Sequence, residues 1–304
     1  MKIVMTGSSG LIGSALLPLL TGEGHQVVRL VRSPKTPAEE VAVWDPDAGK
    51  LEAGSLEQTD AVVHLAGENI GKGRWTDTQK TRIRESRVRG TRLLSETLAR
   101  LEVAPRVLVS ASAVGFYGSR GEEVLTEDSS PGSDFLAEVC KEWEAATEPA
   151  RQKGIRVVNL RTGMVLSGKG GALTAMLPAF NKGAGGKVGD GRQFISWIAL
   201  DDLTRAISHA LAHQSLSGPV NAVSPNPVRN LEFTETLGKV LGRPTFLSMP
   251  APLARLIFGE MAEALLLSSQ RTQPKRLLDS GFTFQFPEIE PALRQEIEKH
   301  RSAN

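Results

Sequence analysis

Cysteine and tyrosine each occur only once in this chain of 304 residues. A single cysteine, Cys140, excludes an intramolecular disulfide and argues against a zinc cluster built from several thiolates. The five histidines are scattered and do not follow the spacing of metal ligands. We therefore predict no metal site. The single tyrosine, Tyr117, leaves only one phenol in the whole chain for proton transfer.

Long apolar runs and a strong charge imbalance are also missing. No stretch of about 18 apolar residues is present to cross a bilayer, and the chain opens on a predicted strand instead of a signal peptide. The 36 basic and 34 acidic residues nearly balance, which argues against bulk nucleic-acid binding. We expect a cytoplasmic protein that binds neither membrane nor nucleic acid.

The amino-terminal stretch at 2–20 contains a strand, a glycine turn and a helix in succession. This context indicates a dinucleotide site. Gly7 permits a tight turn, Gly10 lets the backbone approach a pyrophosphate, and Gly13 lets the helix pack closely on the strand. The start of the helix offers N–H groups to the phosphates. The residues assigned to cofactor binding here are Gly7, Ser9, Gly10, Leu11 and Ile12. The alternative is a plain strand-to-helix turn without a ligand.

Further apolar strands at 26–32, 41–44, 61–67, 106–112 and 155–163 alternate with helical segments. This order predicts βαβ units. We expect an α/β fold with a Rossmann-type doubly wound parallel sheet and a smaller C-terminal α/β lobe. The nucleotide-binding domain would span 1–165, with 190–225 contributing. Residues 166–304 would form a substrate or cap lobe whose tail covers 245–300.

The end of the second predicted strand indicates which nucleotide is bound. An acidic residue at this position would select NAD, whereas this strand ends in Arg32 and Ser33. A guanidinium suits a 2′-phosphate, so NADP(H) is the predicted cofactor; the alternative is a solvated basic strand end. Trp44 and Asp45 follow the third strand, where the adenine would lie, although Trp44 could equally be a core residue.

Several motifs together resemble the extended short-chain dehydrogenase/reductases. They are TGSSGLIG at 6–13, HLAG at 64–67, a Val-x-Gly-Thr pattern at 88–91, SAS at 110–112, LRTG at 160–163 and SWIALDDL at 196–203. Arg87 stands where this family usually has asparagine. The resemblance covers roughly the first two thirds of the chain and implies a Rossmann fold with a nicotinamide cofactor.

Four longer segments narrow the resemblance. They are AGENIGKGRW, SASAVGFYG, NAVSPNPV and GEMAEALLLSSQRTQPKRLL. They are similar to an atypical group of NAD(P)-dependent epimerase/dehydratase-like "epimerase family" proteins with a C-terminal domain of unknown function. The tail at 245–300 matches that domain. The resemblance implies a small-molecule substrate and a possible homodimer.

The family's reaction uses a serine, a tyrosine and a lysine four residues after the tyrosine. Ser112 and Lys141 match the serine and the lysine, but Ala137 stands in the place of the tyrosine. Tyr117, five residues after Ser112, is the candidate replacement, although it could instead be a wall of the pocket. The catalytic candidates are therefore Ser112, Lys141 and Tyr117.

The resemblance also implies cofactor contacts along the later strands. Lys141 would hold the nicotinamide ribose, Glu68 would bind ribose hydroxyls, and Arg74 would pair with pyrophosphate. The alternative for Glu68 and Arg74 is a charged surface loop. The remaining residues assigned to the cofactor or the cleft are Leu65, Ala66, Gly67, Ser110 and Arg161.

Two hypotheses follow from the sequence. The first is an NADP(H)-dependent oxidoreductase or nucleotide-sugar-epimerase-like enzyme of unknown substrate with a non-standard proton donor. The second is a non-catalytic NADP(H)-binding sensor. Ala137 favours the second, and the presence of both Ser112 and Lys141 favours the first.

Overall fold

The computed structural model describes residues 1–33, 41–71 and 73–302. The strands are β1 (Lys2–Thr6), β2 (Gln26–Val31), β3 (Val41–Asp45), β4 (Lys50–Leu51), β5 (Ala61–His64), β6 (Val107–Ala113), β7 (Val124–Leu125), β8 (Arg156–Thr162), β9 (Met164–Leu166), β10 (Gly186–Val188), β11 (Phe194–Ile195), β12 (Trp197–Ala199), β13 (Gly218–Ala222), β14 (Val228–Arg229), β15 (Leu247–Met249) and β16 (Arg271–Thr272). The α-helices are α1 (Leu11–Gly22), α2 (Asp77–Arg100), α3 (Phe135–Ala145), α4 (Glu148–Gln152), α5 (Gly171–Asn181), α6 (Leu200–Ala212), α7 (Asn230–Leu241), α8 (Ala251–Phe258), α9 (Lys275–Asp279) and α10 (Ile289–Ser302).

The central sheet has the order β13-β8-β6-β5-β1-β2-β3-β4. Every neighbouring pair is parallel except β3 and β4. The chain order reverses between β1 and β5, and ligands of open α/β sheets bind in the crevice at such a point. The predicted α/β fold, a doubly wound Rossmann-type sheet with a smaller C-terminal lobe, is confirmed.

Both faces of the sheet are buried, which explains why its strands are apolar without alternation. On one face, Met5 and Val63 pack with Leu16 of α1 and Ile207 of α6. On the other face, residues of the same strands pack with α2 and α4. Burying each large aliphatic side chain contributes about 2 kcal/mol, so these two layers fix the carboxyl edge of the sheet as a rigid platform.

The C-terminal lobe has its own core, in which Leu173 of α5, Phe233 of α7 and Leu293 of α10 pack together. A segment at 268–277 leaves this lobe and runs along the central domain. Within it, β16 pairs with β7, and the Gln273 N–H donates to the Leu125 carbonyl oxygen at 2.8 Å. In the part of the chain that the structure describes, no helix combines the length and the apolar character needed to cross a membrane.

Three element boundaries differ from the sequence prediction. The strand predicted at 61–67 ends at His64, because the following N–H groups bond to Thr6 instead of to a neighbouring strand. The apolar residues at 253–267 predict one continuous helix. The structure breaks it at Gly259, whose φ is +62°, into α8 and a π-helical segment, Ala262–Leu267. The sequence predicts a helix that is capped by Ser133 or Asp134 and ends near Gly154. In the structure this helix stops at Ala145 and is followed by the short α4.

Candidate functional site

The glycine turn lies at the carboxyl end of β1, beside the crevice. Gly7 has φ +68°, and a Cβ there would lie 2.7 Å from the Leu65 carbonyl carbon. A Cβ on Gly13 would lie 2.3 Å from the Gly7 oxygen, so the helix packs closely on the turn. By contrast, a Cβ on Gly10 would meet only the Gly7 oxygen, at 3.3 Å.

The N-terminus of α1 faces outward from this turn. Gly10 is its N-cap and provides no side-chain hydrogen bond. Gly10 and Ser9 are exposed, while Leu11 and Ile12 are half-buried. The first N–H groups of a helix have no partner within the helix, and together with the helix dipole they make a site for an anion. The turn can therefore hold a pyrophosphate.

A buried hydrogen-bond network fixes the loop after β5. The Thr6 Oγ1 accepts the N–H groups of Leu65 and Ala66 at 3.1 and 3.2 Å, and it lies 2.7 Å from His64 Nδ1. His64 Nε2 lies 2.9 Å from Thr91 Oγ1. Since both lone pairs of Thr6 are used, its hydroxyl donates to Nδ1, and the imidazole donates from Nε2. Burial lowers the pKa of His64 to about 4, so the ring is neutral and structural.

Two hydrogen bonds fix the backbone of Glu68, one at its N–H group and one at its carbonyl oxygen. Its N–H donates to Ser86 Oγ at 3.0 Å, and Arg87 Nη2 donates to its carbonyl oxygen at 3.0 Å. The Arg87 guanidinium packs over Trp143 at 5.0 Å, and burial lowers the pKa of Arg87. From the sequence, Arg87 was noted only because it replaces the usual asparagine. Its role in holding the Glu68 backbone was not predicted. Gly67 is exposed on the same loop, and Glu68 is half-buried.

The residues at the end of β2 and β3 divide into exposed and buried groups. Arg32 and Ser33 are exposed, and among the described residues Arg32 has no hydrogen bond or ion pair. Trp44 is a core residue, because its indole packs edge-on against His64 with ring centroids 5.9 Å apart. Asp45 uses one carboxylate oxygen to accept the N–H groups of Asp47 and Ala48.

Ser112 is part of a second buried network. Its hydroxyl donates to Glu144 Oε1 at 2.7 Å, and Arg161 binds both oxygens of the same carboxylate at 2.8 Å. Ser110, two residues earlier on β6, is fully buried and makes only a long contact of 3.5 Å to the Ala111 carbonyl oxygen. Arg161 is buried and its guanidinium lies 3.4 Å from the centre of the Phe116 ring.

Tyr117 belongs to the same network and is fully buried. Its hydroxyl donates to Asn221 Oδ1 at 2.7 Å and accepts from Arg161 Nη1 at 3.0 Å. Burial raises its pKa, an effect that Arg161 partly offsets. The structure thus brings Tyr117 and Ser112 into one network. The phenol, however, already donates its hydrogen to one protein group and accepts a hydrogen bond from another. This geometry does not favour Tyr117 as a proton donor to a ligand.

Lys141 lies on α3 and is half-buried, with its ammonium 2.8 Å from Glu138. Ala137, one turn earlier, is fully buried, so no side chain there reaches the cleft. Cys140 is buried next to Lys141 in sequence, and burial raises the pKa of its thiol to about 12. It is an inert core thiol.

Arg74 lies on the loop before α2, against the C-terminal lobe. A Cβ on Gly259 would lie 3.3 Å from an Arg74 nitrogen, and the neighbouring Lys80 forms an ion pair with Glu260 at 2.9 Å. The segment after α8 therefore packs against the loop before α2 and against the first turn of this helix.

The sheet order and the glycine turn define a Rossmann-type nucleotide-binding protein. The model of the NAD dependent epimerase/dehydratase family matches residues 3–222, and a domain of unknown function (DUF1731) matches residues 249–296. The chain belongs to the NAD dependent epimerase/dehydratase family.

Three relatives illustrate the similarity. "Epimerase family protein Mb2239" of Mycobacterium bovis is 45% identical over 291 residues, covering 96% of each chain. A crystal structure of the human epimerase family protein SDR39U1 with NADPH has a TM-score of 0.90 and 34% identity, covering 98% of this chain and 99% of that one. A nucleoside-diphosphate sugar epimerase from Corynebacterium glutamicum has a TM-score of 0.81 and 42% identity, but this chain spans only 58% of its length.

Proposed function

We propose that this protein binds NADP(H) at the carboxyl edge of its sheet, with the pyrophosphate on the glycine turn. The single observation that carries this proposal is the contrast among the glycines. A Cβ on Gly7 or Gly13 would lie within 2.9 Å of several backbone atoms, whereas a Cβ on Gly10 would meet only the Gly7 oxygen, at 3.3 Å, beside a helix start without a side-chain cap. The human relative, 34% identical, was crystallised with NADPH, which supports the same cofactor here.

The 2′-phosphate would bind Arg32. This guanidinium is exposed at the end of β2 and has no ion-pair partner in the described part of the chain. An arginine can bind a phosphate with two parallel hydrogen bonds, whereas the ribose 2′-hydroxyl of NAD is usually read by a carboxylate. Asp45 has one carboxylate oxygen left for the adenine amine, because the other closes its own turn.

The nicotinamide half would lie over β5 and β6. Lys141 has three N–H donors, one of which reaches Glu138, so it can also hold ribose hydroxyls. Glu68 offers a carboxylate on a backbone that Ser86 and Arg87 hold rigid. Such rigidity reduces the conformational entropy that is lost on binding.

For the reaction, we propose an oxidoreductase or a nucleotide-sugar-epimerase-like activity on a small molecule of unknown identity. NADP(H), when bound, would supply hydride transfer. Ser112 would contact the reacting oxygen of the substrate, and Lys141 would orient the ribose. Because the Ala137 methyl cannot transfer a proton and Tyr117 is buried, proton exchange would use a group other than a tyrosine. A side chain or a solvent molecule in the cleft would take that role.

A second candidate function is a non-catalytic NADP(H) sensor. The buried phenol of Tyr117 favours it, since a general acid must reach the proton that it transfers. The two candidates predict different fates for bound NADPH in the presence of aldehydes and ketones. An oxidoreductase consumes NADPH, and this consumption falls in the Lys141→Ala variant. An epimerase-like enzyme regenerates its cofactor in each cycle, so its activity is measured as interconversion of nucleotide-sugar epimers. A sensor leaves NADPH intact with every carbonyl compound offered and converts no nucleotide sugar.

The cofactor proposal is tested by calorimetric titration of NADPH and NADH into the wild-type protein, Arg32→Ala and Arg82→Ala. Arg82 is exposed on α2 and serves as a matched control for lost surface charge. We expect the wild type to prefer NADPH, Arg32→Ala to lose about tenfold or more in NADPH affinity, and Arg82→Ala to behave as wild type. If neither nucleotide binds to the wild type, the proposal is wrong.

A further inference from the structure

Three polar side chains lie next to one another across neighbouring strands at the carboxyl edge. Ser112 of β6 is opposite Arg161 of β8, and Arg161 is opposite Asn221 of β13. They are 4%, 3% and 0% exposed. Glu144 and Tyr117 join them into one hydrogen-bond network. Because buried polar groups need partners of the right type, the direction of each bond can be deduced.

A hydrogen bond to the C-terminal domain orients the Asn221 amide. The Gln273 carbonyl oxygen can only accept, and Asn221 Nδ2 donates to it at 2.9 Å. The Asn221 oxygen therefore faces Tyr117, whose hydroxyl must donate to it. Arg161, which has donors only, supplies the bond that the phenol oxygen accepts. The proton of the only tyrosine is thus directed away from Ser112.

A buried carboxylate anchors this segment to the same strand. Glu127 Oε1 accepts the N–H groups of Asn221 and Arg276 at 3.0 and 3.1 Å. Gln273 and Arg276 both belong to the segment at 268–277, which also pairs with β7. The position of Asn221 therefore depends on the C-terminal domain.

At the other end of the network, the hydroxyl hydrogen of Ser112 is already used in a hydrogen bond to Glu144. A carboxylate only accepts, so the 2.7 Å bond between Ser112 and Glu144 uses the serine proton. The bond is charge-assisted and therefore among the stronger hydrogen bonds. Arg161 holds Glu144 in place with two bonds of 2.8 Å. Only the lone pairs of the Ser112 hydroxyl oxygen remain to bind a ligand, so Ser112 can act towards it as a hydrogen-bond acceptor.

We propose that Glu144, supported by the segment at 268–277, is a positioning residue that makes Ser112 a hydrogen-bond acceptor. The ligand group that binds Ser112 more tightly is then a hydroxyl rather than a carbonyl oxygen. A carbonyl needs a donor, and Ser112 can donate to it only by giving up its bond to Glu144. This inference rests on the proposed function, which places the ligand beside Ser112, and it names the substrate class as an alcohol.

The test uses the full chain loaded with NADP⁺ and two probes of matched shape, cyclohexanol and cyclohexanone. Their binding is followed by ligand-observed NMR titration. We expect the wild type to bind cyclohexanol about fivefold more tightly, the ratio that corresponds to one hydrogen bond of about 1 kcal/mol. Ser112→Ala should remove this preference. Ser95→Ala, which removes a buried hydroxyl that has no partner among the described residues, should keep it.

Glu144→Gln weakens the bond that fixes the serine proton. Glu144 Oε1 accepts from both Ser112 and Arg161 Nε, so the amide oxygen takes this place and the amide nitrogen lies against Arg161 Nη2. The bond from Ser112 then no longer goes to a charged oxygen, so Ser112 gives it up more readily for a carbonyl, and the preference for cyclohexanol should shrink. A carbon-13 label on Tyr117 reports whether the network responds, because the chain has no other tyrosine. Its resonance should move in Glu144→Gln and not in Ser95→Ala.

Several results would overturn the inference. These are a wild-type preference for cyclohexanone, equal or undetectable binding of the two probes, or an unchanged preference in both Ser112→Ala and Glu144→Gln. If Glu144→Gln does not fold, Ser112→Ala decides, because it leaves the pair of Glu144 and Arg161 intact. Failure of the proposed function is distinguishable, since the wild type would then not bind NADP⁺ at all.

Discussion

Protonation of His64 should destabilise the folded protein in mild acid. The imidazole is fully buried between β1 and α2, and burial lowers its pKa from 6.5 to about 4. The difference of about 2.5 pH units, at about 1.4 kcal/mol each, corresponds to about 3 kcal/mol. Protonation would also place an N–H against Thr6, whose lone pairs already accept from Leu65 and Ala66.

The sign of the effect follows from which state binds the proton first. Above pH 6.5 both the folded and the unfolded His64 are neutral, and the stability is complete. Between pH 6.5 and about 4 the unfolded chain is protonated first, so the free energy of unfolding falls as the pH falls. Below about pH 4 the loss attributable to this residue is complete, at about 3 kcal/mol.

The assay is urea unfolding followed by tryptophan fluorescence between pH 7 and pH 4. His64→Gln is the reference, because glutamine is neutral throughout and all other titrating groups are shared. From pH 7 to pH 4, we expect the free energy of unfolding of the wild type to fall by about 3 kcal/mol more than that of His64→Gln. Parallel pH dependences for the two proteins would refute the assignment of His64 as a buried neutral ring.

Three further predictions concern single groups. The phenol of Tyr117 should ionise at higher pH than free tyrosine, measured by phenolate absorbance, since burial raises its pKa. Stability should consequently fall as the pH rises above 10; ionisation at the ordinary pKa would show the ring to be exposed. Cys140 should not react with thiol reagents at neutral pH until the chain is unfolded, since burial raises its pKa to about 12; rapid labelling of the folded protein would contradict its burial. Gly13→Ala should cost about 3 kcal/mol in thermal or urea unfolding, because the methyl would overlap the Gly7 carbonyl oxygen; a stability within 0.5 kcal/mol of wild type, the ordinary range for surface substitutions, would refute the close packing.

The parts of the fold that depend on local patterns could be predicted from sequence. The glycine turn and the alternation of strands and helices each involve residues close together in the chain. The sheet order then follows from the rules of parallel βαβ units. The break at Gly259 was missed, because a glycine within an apolar run does not by itself show that the helix ends there.

The network around Ser112 could not be predicted in this way. Its bonds join residues 32 and 104 positions apart, namely Ser112 with Glu144 and Tyr117 with Asn221. They require the exact register of three strands, which places Ser112, Arg161 and Asn221 side by side. A sequence shows that a serine and an arginine end neighbouring strands, but not which carboxylate reaches them.

The measurement that tests the central claim most directly is calorimetric titration of NADPH into Gly10→Ala and Gly22→Ala. Alanine fits the backbone at Gly10, which has φ −77° and ψ 175°, and its methyl would project towards the place proposed for the pyrophosphate. Gly22 has open space around it, far along the same helix. We predict that Gly10→Ala still folds, at a smaller cost in stability than Gly13→Ala because its methyl would meet the Gly7 oxygen at 3.3 Å and not 2.3 Å. It should lose at least about tenfold in NADPH affinity, a cost of about 1.4 kcal/mol, while Gly22→Ala binds as wild type. Equal NADPH binding by both variants would contradict a dinucleotide site on this turn.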